Sequence, residues 1–244
     1  MASSPQGGPA TPAAGLDALR ADAVALGLAF RGAFHPQPAD AVPALPDGTA
    51  ATTVVLLGFA GSGQWPVFAA SPEFADGRPD PLDRWSRRLI GTLAARHDGV
   101  ALYPSDGPPW LPFQRWATRA EPVHFSPLGI LIHPDFGLWH AYRGALALRI
   151  RLALPAPDRR PSPCDSCPDR PCLTSCPVNA VAPQRLDHRA CASHVASSAG
   201  LDCLRLACRA RRSCPVGAAH RYGPGQAEFH MAAFIGRRSH TDAG

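Results

Sequence analysis

The run CDSCPDRPCLTSCP, residues 164–177, sets four cysteines at spacings of two, four and three residues and ends on Cys-Pro. Four more follow, Cys191, Cys203, Cys208 and Cys214, while the first 163 residues contain none. The chain therefore has two parts. Cys-Pro closes both sets, as CPVNA at 176–180 and CPVGA at 214–218, an internal pseudo-repeat of the kind two sites related by approximate symmetry produce. Charge divides in the same way: residues 1–160 carry 14 Arg against 13 acidic residues, and residues 161–244 carry 10 against 6. Between them Pro155, Pro157, Pro161 and Pro163 cannot continue a strand and suit a linker over 155–163.

The whole chain has 244 residues, 45% hydrophobic and 18% charged, enough apolar content for a core, which excludes a wholly disordered chain or a coiled coil. With 28 Pro a helix-dominated bundle is not expected. All 24 basic residues are Arg, and the net charge of +5 is too mild and scattered to imply nucleic acid. The longest uncharged stretch, 48–72, is interrupted by Gly, Ser, Gln and Pro short of the roughly 20 apolar residues a membrane span needs. Residues 1–15 have no basic segment followed by an apolar one and are expected to be disordered. Cytoplasm is thus the expected compartment, where clustered cysteines read as metal or redox chemistry before disulfides.

In the first part, Leu16, Leu19, Ala23 and Leu26 share helical spacing that ends near Gly27, and a Pro-rich loop is expected next. Val54 to Phe59 reads as a buried strand. Asp80-Pro81 opens a helix with Leu82, Trp85, Leu89 and Leu93 on one face, stopping at Asp98-Gly99. Val100 to Tyr103 and Leu128 to Ile132 are strand candidates. Ala145 to Leu152 alternates, with Leu146, Leu148, Ile150 and Leu152 on one face and Ala or Arg on the other. Gln226 to Arg238 reads as a closing helix with Phe229, Ala233 and Phe234 inward and Arg237 and Arg238 at its C-terminus. The class is α+β with an antiparallel central sheet. The expected domains are an α+β domain at 16–154, a cysteine domain at 164–222 and a helix and tail at 223–244.

A four-iron, four-sulfur cube needs four thiolates from different directions. Three close cysteines wrap one corner, and in two-cluster ferredoxins the Cys before Pro ligates the other cluster. One cluster would then take Cys164, Cys167, Cys172 and Cys214, the other Cys176, Cys191, Cys203 and Cys208. Two four-cysteine zinc sites would use the same ligands, and four disulfides would suit a secreted chain. Spacing x4 then x5 makes Cys203, Cys208 and Cys214 looser than the first run. Because eight thiolates suffice, His188, His194 and His230 read as surface or core-edge histidines.

The segment SPLGILIHPDFGLWHAYRGALAL, 126–148, resembles the HPxFGGW...RG segment of the cobalamin-processing proteins that remove the upper ligand of cobalamins, and Asp80-Pro81-Leu82-Asp83 with its helix is similar to the same family. Followed by the Pro-rich linker, eight cysteines and QRLDHRAC at 184–191, it also resembles epoxyqueuosine reductases, over roughly residues 16–222. The resemblance implies a nitroreductase-like domain holding a base-off corrinoid, joined to a bacterial-ferredoxin-like domain with two 4Fe-4S clusters that pass it single electrons. It places His133, Pro134, Phe136, Gly137 and Trp139 in a turn near the corrin and Arg143 in a charged contact. It also implies an electron-donor protein of the flavodoxin or ferredoxin-type reductase class. A strand followed by His-Pro and an aromatic-glycine turn also reads as a packed strand end in which His133 bonds backbone.

The sequence departs from the reductases where they carry an acidic proton donor in a DTGP-like segment. Here the stretch is Arg119-Ala120-Glu121-Pro122-Val123, and Glu121 is the nearest carboxylate. A missing general acid removes a factor of about 10^2 to 10^4 in rate. With no repeat-type extension for recognising tRNA, modification of tRNA is not the expected reaction. An iron-sulfur redox protein acting on a corrinoid, a non-enzymatic electron carrier or assembly module, and a structural zinc module remain open.

Overall fold

The computed structural model describes residues 12–239. In chain order its main elements are α1 (Pro12–Ala25), β1 (Ala29–Phe34), β2 (Thr53–Ala60), α2 (Trp65–Ala69), α3 (Pro72–Ala75), α4 (Pro81–Arg96), β3 (Gly99–Leu102), α5 (Phe113–Ala120), β4 (His124–Phe125), β5 (Leu131–Ile132), β6 (His140–Leu148), β7 (Val181–Ala182), β8 (Arg185–Leu186), α6 (His188–Val195), α7 (Leu201–Leu206), α8 (Arg209–Arg212) and α9 (Pro224–Ser239). The architecture is α+β. No described helix is long and apolar enough to cross a membrane.

The chain forms two compact units, neither continuous in sequence. One runs to Gly58 and adds Val67–Glu121 and Tyr142–Pro157; the other takes Phe59–Pro66, Pro122–Ala141 and the chain from Asp158 onward. Residues 122–141, ahead of the Pro-rich stretch, thus pack in the cysteine-bearing unit.

The first unit is organised by the sheet β1-β2-β6-β3. β1 with β2, and β3 with β6, pair antiparallel. Thr53, Val54, Val55, Leu56 and Leu57 of β2 are all fully buried, as the apolar run requires of a strand covered on both faces. β6 is covered likewise: Ala145 and Ala147 are as buried as Leu146 and Leu148. The small Ala side chains mark a covered face, not a solvent face as the alternation suggested. β6 also ends at Leu148, so Ile150 is 50% exposed while Leu152 turns back in. α4 keeps the expected face, burying Leu82, Trp85, Leu89, Ile90 and Leu93, and packs on β3. α1 buries Leu16, Leu19 and Ala23 and begins at Pro12, inside the stretch expected to be disordered; residues 1–11 lie outside the described ones.

β1 falls where a loop was expected. Its alternation is broken by Arg31 and Gly32, and its register slips between Phe30 and Ala33. Arg31, with 0% of its side chain exposed, is tolerated because Glu121, just past α5, accepts from its Nε at 3.1 Å and its Nη2 at 2.7 Å. Tyr142 donates its hydroxyl to Glu121 Oε2 at 2.7 Å, and burial first, then the carboxylate, pushes that hydroxyl's pKa up. Removing one partner of a buried pair leaves the other charge unmatched, at about 3–5 kcal/mol. Glu121→Ala is therefore expected to lower unfolding free energy by about that much in urea titrations; a change under about 0.5 kcal/mol, as at an ordinary surface position, would contradict the arrangement.

In the second unit, β5 keeps only Leu131 and Ile132 of the expected strand, because Ser126 to Ile130 is a tight turn closed by Ser126 N–H to Ile130 O and Gly129 N–H to Ser126 O, both 3.0 Å. β7 and β8 form a hairpin. Asp187 then caps α6, its carboxylate accepting from Ala190 N–H at 3.0 Å, so that Cys191 sits in the helix's first turns. α9 packs on α6 and α7. Its buried positions are Gln226 and Ala227, whereas Ala233 is exposed and Phe229 and Phe234 are half-buried, a face rotated from the expected one. The side chains of Arg237 and Arg238 lie outside the described residues.

Candidate metal centre

None of the eight cysteines is in a disulfide. They collect at two recesses of the second unit. Cys164, Cys167, Cys172 and Cys214 line one, with Pro127, Ile132, Pro163 and Val216 among its walls. Cys176, Cys191, Cys203 and Cys208 line the other, with Val178, Val181, Val195 and Ala210. Each Cys-Pro cysteine has left its sequence neighbours and joined the other set.

Local chemistry explains the first recess. Ser162 Oγ accepts from Cys164 N–H at 3.3 Å and Cys167 N–H reaches Cys164 O at 3.4 Å, a turn that points two thiols the same way. The two residues that lengthen the x4 gap end at Arg170, at φ +39, before the 3-10 turn Pro171–Leu173 that carries Cys172. Cys214 arrives from beyond α8 and packs with Ile132 and Leu138, with Cys164 and Val216 against them.

The two Cys-Pro-Val turns share a backbone device. Their fourth residues, Asn179 and Gly217, sit at φ +51 and +69, a left-handed conformation that Asn and Gly accept most readily. The turns aim amides back at sulfur: Ala180 N–H lies 3.3 Å from Cys176 Sγ, and Val216 N–H bonds Cys214. Burial raises the pKa of Cys164, Cys172, Cys203 and Cys214, and neighbouring cysteines add to the rise at each. Burial disfavours a bare thiolate at Cys164, Cys172, Cys203 and Cys214, and four cysteines at each recess form a donor set suited to a thiophilic metal centre.

The HPDFG turn lies in the same unit. His133 and Gly137 exchange backbone bonds of 2.8 and 2.9 Å, and His133 Nδ1 accepts from Asp135 N–H at 3.0 Å and Phe136 N–H at 3.4 Å, which puts the ring proton on Nε2. His133 bonds backbone, as the packed strand end requires. Phe136 stands between the His133 and His220 rings, with centroids at 4.7 and 5.0 Å. Gly137, at φ +57, meets the second Cys-Pro-Val turn: a Cβ there would come within 2.6 Å of the Val216 carbonyl carbon, and one at Gly217 would overlap Phe136 and Gly137 backbone. Trp139 is fully buried under the Arg211 guanidinium, 4.3 Å from its ring, and edge-on to Tyr222. Pro134 is half-buried. Arg143 belongs to the other unit, where it is paired with Asp83 and donates to Ser86 Oγ at 3.2 Å. Asp83 is the last residue of the DPLD stretch, so two sequence signals meet in that pair.

No protein-family model and no curated protein matches the chain. Among solved structures it is similar to epoxyqueuosine reductases. One, determined with an epoxyqueuosine-modified tRNA-Tyr stem loop, shares 16% identity at a TM-score of 0.49, over 87% of this chain and 68% of that one. The Bacillus subtilis epoxyqueuosine reductase gives 16% and 0.42, over 72% of this chain and 50% of that one. A selenomethionine-labelled epoxyqueuosine reductase gives 17% and 0.43, over 74% and 52%. The chain thus spans between half and about two thirds of their lengths.

One residue of the second recess was not expected. His194 lines it beside the four cysteines. Its position three residues after Cys191, on the same side of a helix, is the signal that could have indicated it.

Proposed function

We propose that the chain is an iron-sulfur redox protein with two 4Fe-4S clusters, one held by Cys164, Cys167, Cys172 and Cys214 and the other by Cys176, Cys191, Cys203 and Cys208. A cluster, when bound, supplies a one-electron reservoir whose potential the surrounding protein sets. The observation that carries this reading is the exchange of Cys176 and Cys214 between the two recesses, the pattern of two-cluster ferredoxin folds. The chain's own part is to hold four thiols at each recess, to line both with apolar side chains that limit water, and to direct backbone amides at sulfur. Dithionite-reduced protein is expected to give the EPR signals of reduced clusters; an EPR-silent, zinc-loaded protein would move the reading to a structural zinc module.

The electron acceptor we infer is a corrinoid; of the residues carried over for it, His133, Pro134, Phe136, Gly137 and Trp139 belong to the cysteine-bearing unit and Arg143 to the first. The donor belongs to the flavodoxin or ferredoxin-type reductase class, and reducing cytoplasm suits eight cysteines outside disulfides. Cob(II)alamin added to the protein is expected to change its visible spectrum on conversion to the base-off form. No change at any concentration would favour the second reading, a ferredoxin-type carrier or assembly module without corrinoid. A specific observation supports that second reading: His133 Nδ1, the Trp139 ring and the Arg143 guanidinium all serve packing or pairing within the protein, and Glu121 is committed to Arg31 and Tyr142.

A further inference from the structure

The second recess holds a polar group that four cysteines do not account for. His194 Nε2 is buried and makes no hydrogen bond among the described residues. One ring nitrogen of His194, Cys203 Sγ and a carboxylate oxygen of Asp202 all lie within 4.8 Å of one another. Asp202 is already engaged: it accepts from Arg209 Nε at 2.6 Å and Nη2 at 3.0 Å and from Arg212 Nη2 at 2.6 Å. Cys203 Sγ takes one backbone N–H, from Arg209, and is the acceptor among the three whose charge a bound centre would change.

The placement is built into the backbone. Gly200 is buried where the chain passes from α6 to α7, and a Cβ there would overlap the His194 carbonyl and come within 2.8 Å of Val195 Cα. The end of α6, which carries His194, and the start of α7, which carries Cys203, are thereby held together. A buried ring N–H beside a protonated, neutral thiol gains little. Beside an anionic sulfur it gains a charge-assisted hydrogen bond.

We propose that His194 donates its Nε2 proton in a hydrogen bond to anionic sulfur at the Cys203 corner of the second site and so raises the reduction potential of the cluster bound there. This rests on the reading of that recess as a 4Fe-4S site. Hydrogen bonds to sulfur draw charge off the cluster and stabilise its more negative, reduced state. Among the described residues no histidine lines the first recess, so the effect is confined to one of the two couples. In each couple one electron from the reductant enters one cluster, and neither a bond nor a proton changes place.

The test is an anaerobic potentiometric titration of the full chain, read by EPR and visible absorption with iron counted in every sample. His194→Leu and His194→Phe remove the donor with different packing, and His194→Gln keeps an N–H. Both apolar variants are expected to keep their iron and to lower one couple's reduction constant about tenfold, about 59 mV for one electron, leaving the other couple in place. His194→Gln should recover most of the shift. Unmoved couples with iron retained would overturn the proposal and leave the clusters standing. Loss of one cluster's iron in all three variants would make His194 a ligand, and equal movement of both couples would mark a general structural effect; either result overturns it. A wild-type chain without iron would remove this proposal and the cluster reading together.

Discussion

Cys214→Ala is expected to empty the site of Cys164, Cys167 and Cys172 and to leave the other intact, while Cys176→Ala does the reverse. Each variant should keep about half the wild-type iron, because a cube that loses one of four thiolates is no longer held. The expectation runs against sequence proximity. Cys176 lies four residues after Cys172, yet it lines the recess of Cys191, Cys203 and Cys208. Cys214 comes after all of these and lines the recess of the first three. Cys172→Ala is the reference that removes a ligand from the first site without ambiguity. If the EPR and potential of the cluster surviving in Cys176→Ala matched those surviving in Cys172→Ala, the exchanged grouping would be wrong. Under that grouping Cys172→Ala and Cys214→Ala share one surviving cluster and Cys176→Ala shows the other.

Gly217→Ala is expected to destabilise the cysteine-bearing unit by about 3 kcal/mol or more, the sum of a left-handed backbone carrying a Cβ and of overpacking against Phe136. Asn179→Ala, at the equivalent place in the first Cys-Pro-Val turn, is expected to cost only about 1–2 kcal/mol, the conformational part alone. The two turns thus have the same dihedral requirement and different crowding. Urea unfolding of the metal-free proteins, followed by circular dichroism, separates the effects from cluster loss. Equal costs at the two positions would mean that the HPDFG turn does not press on Gly217.

The same pair of turns shows what could be read in the sequence. CPVNA and CPVGA match as repeats through their shared Cys-Pro-Val and Ala, the structure adds that the differing position is left-handed in both, and the ligand sets followed from the Cys-Pro rule. β2 was legible because Val54 to Phe59 has no polar interruption, and α4 because four apolar residues recur at its period. β1 was not, since its central Arg31 is buried against Glu121, a residue 90 positions away. No local pattern encodes that pairing. The resemblance places Gly137 near the corrin, and no local pattern tells that a Cβ there would meet the Val216 backbone. His194 was set aside by counting thiolates, a valid count for ligands that says nothing of donors to them. The interleaving of the units was hidden because linkers are marked by composition and compactness is not.

Two iron-sulfur cubes on eight thiols, as proposed, fix a stoichiometry. Iron and acid-labile sulfide counted together on anaerobically purified full-length protein test it most directly. About eight of each per chain, in a brown protein, are expected. A colourless protein with about two zinc ions and no sulfide would contradict it.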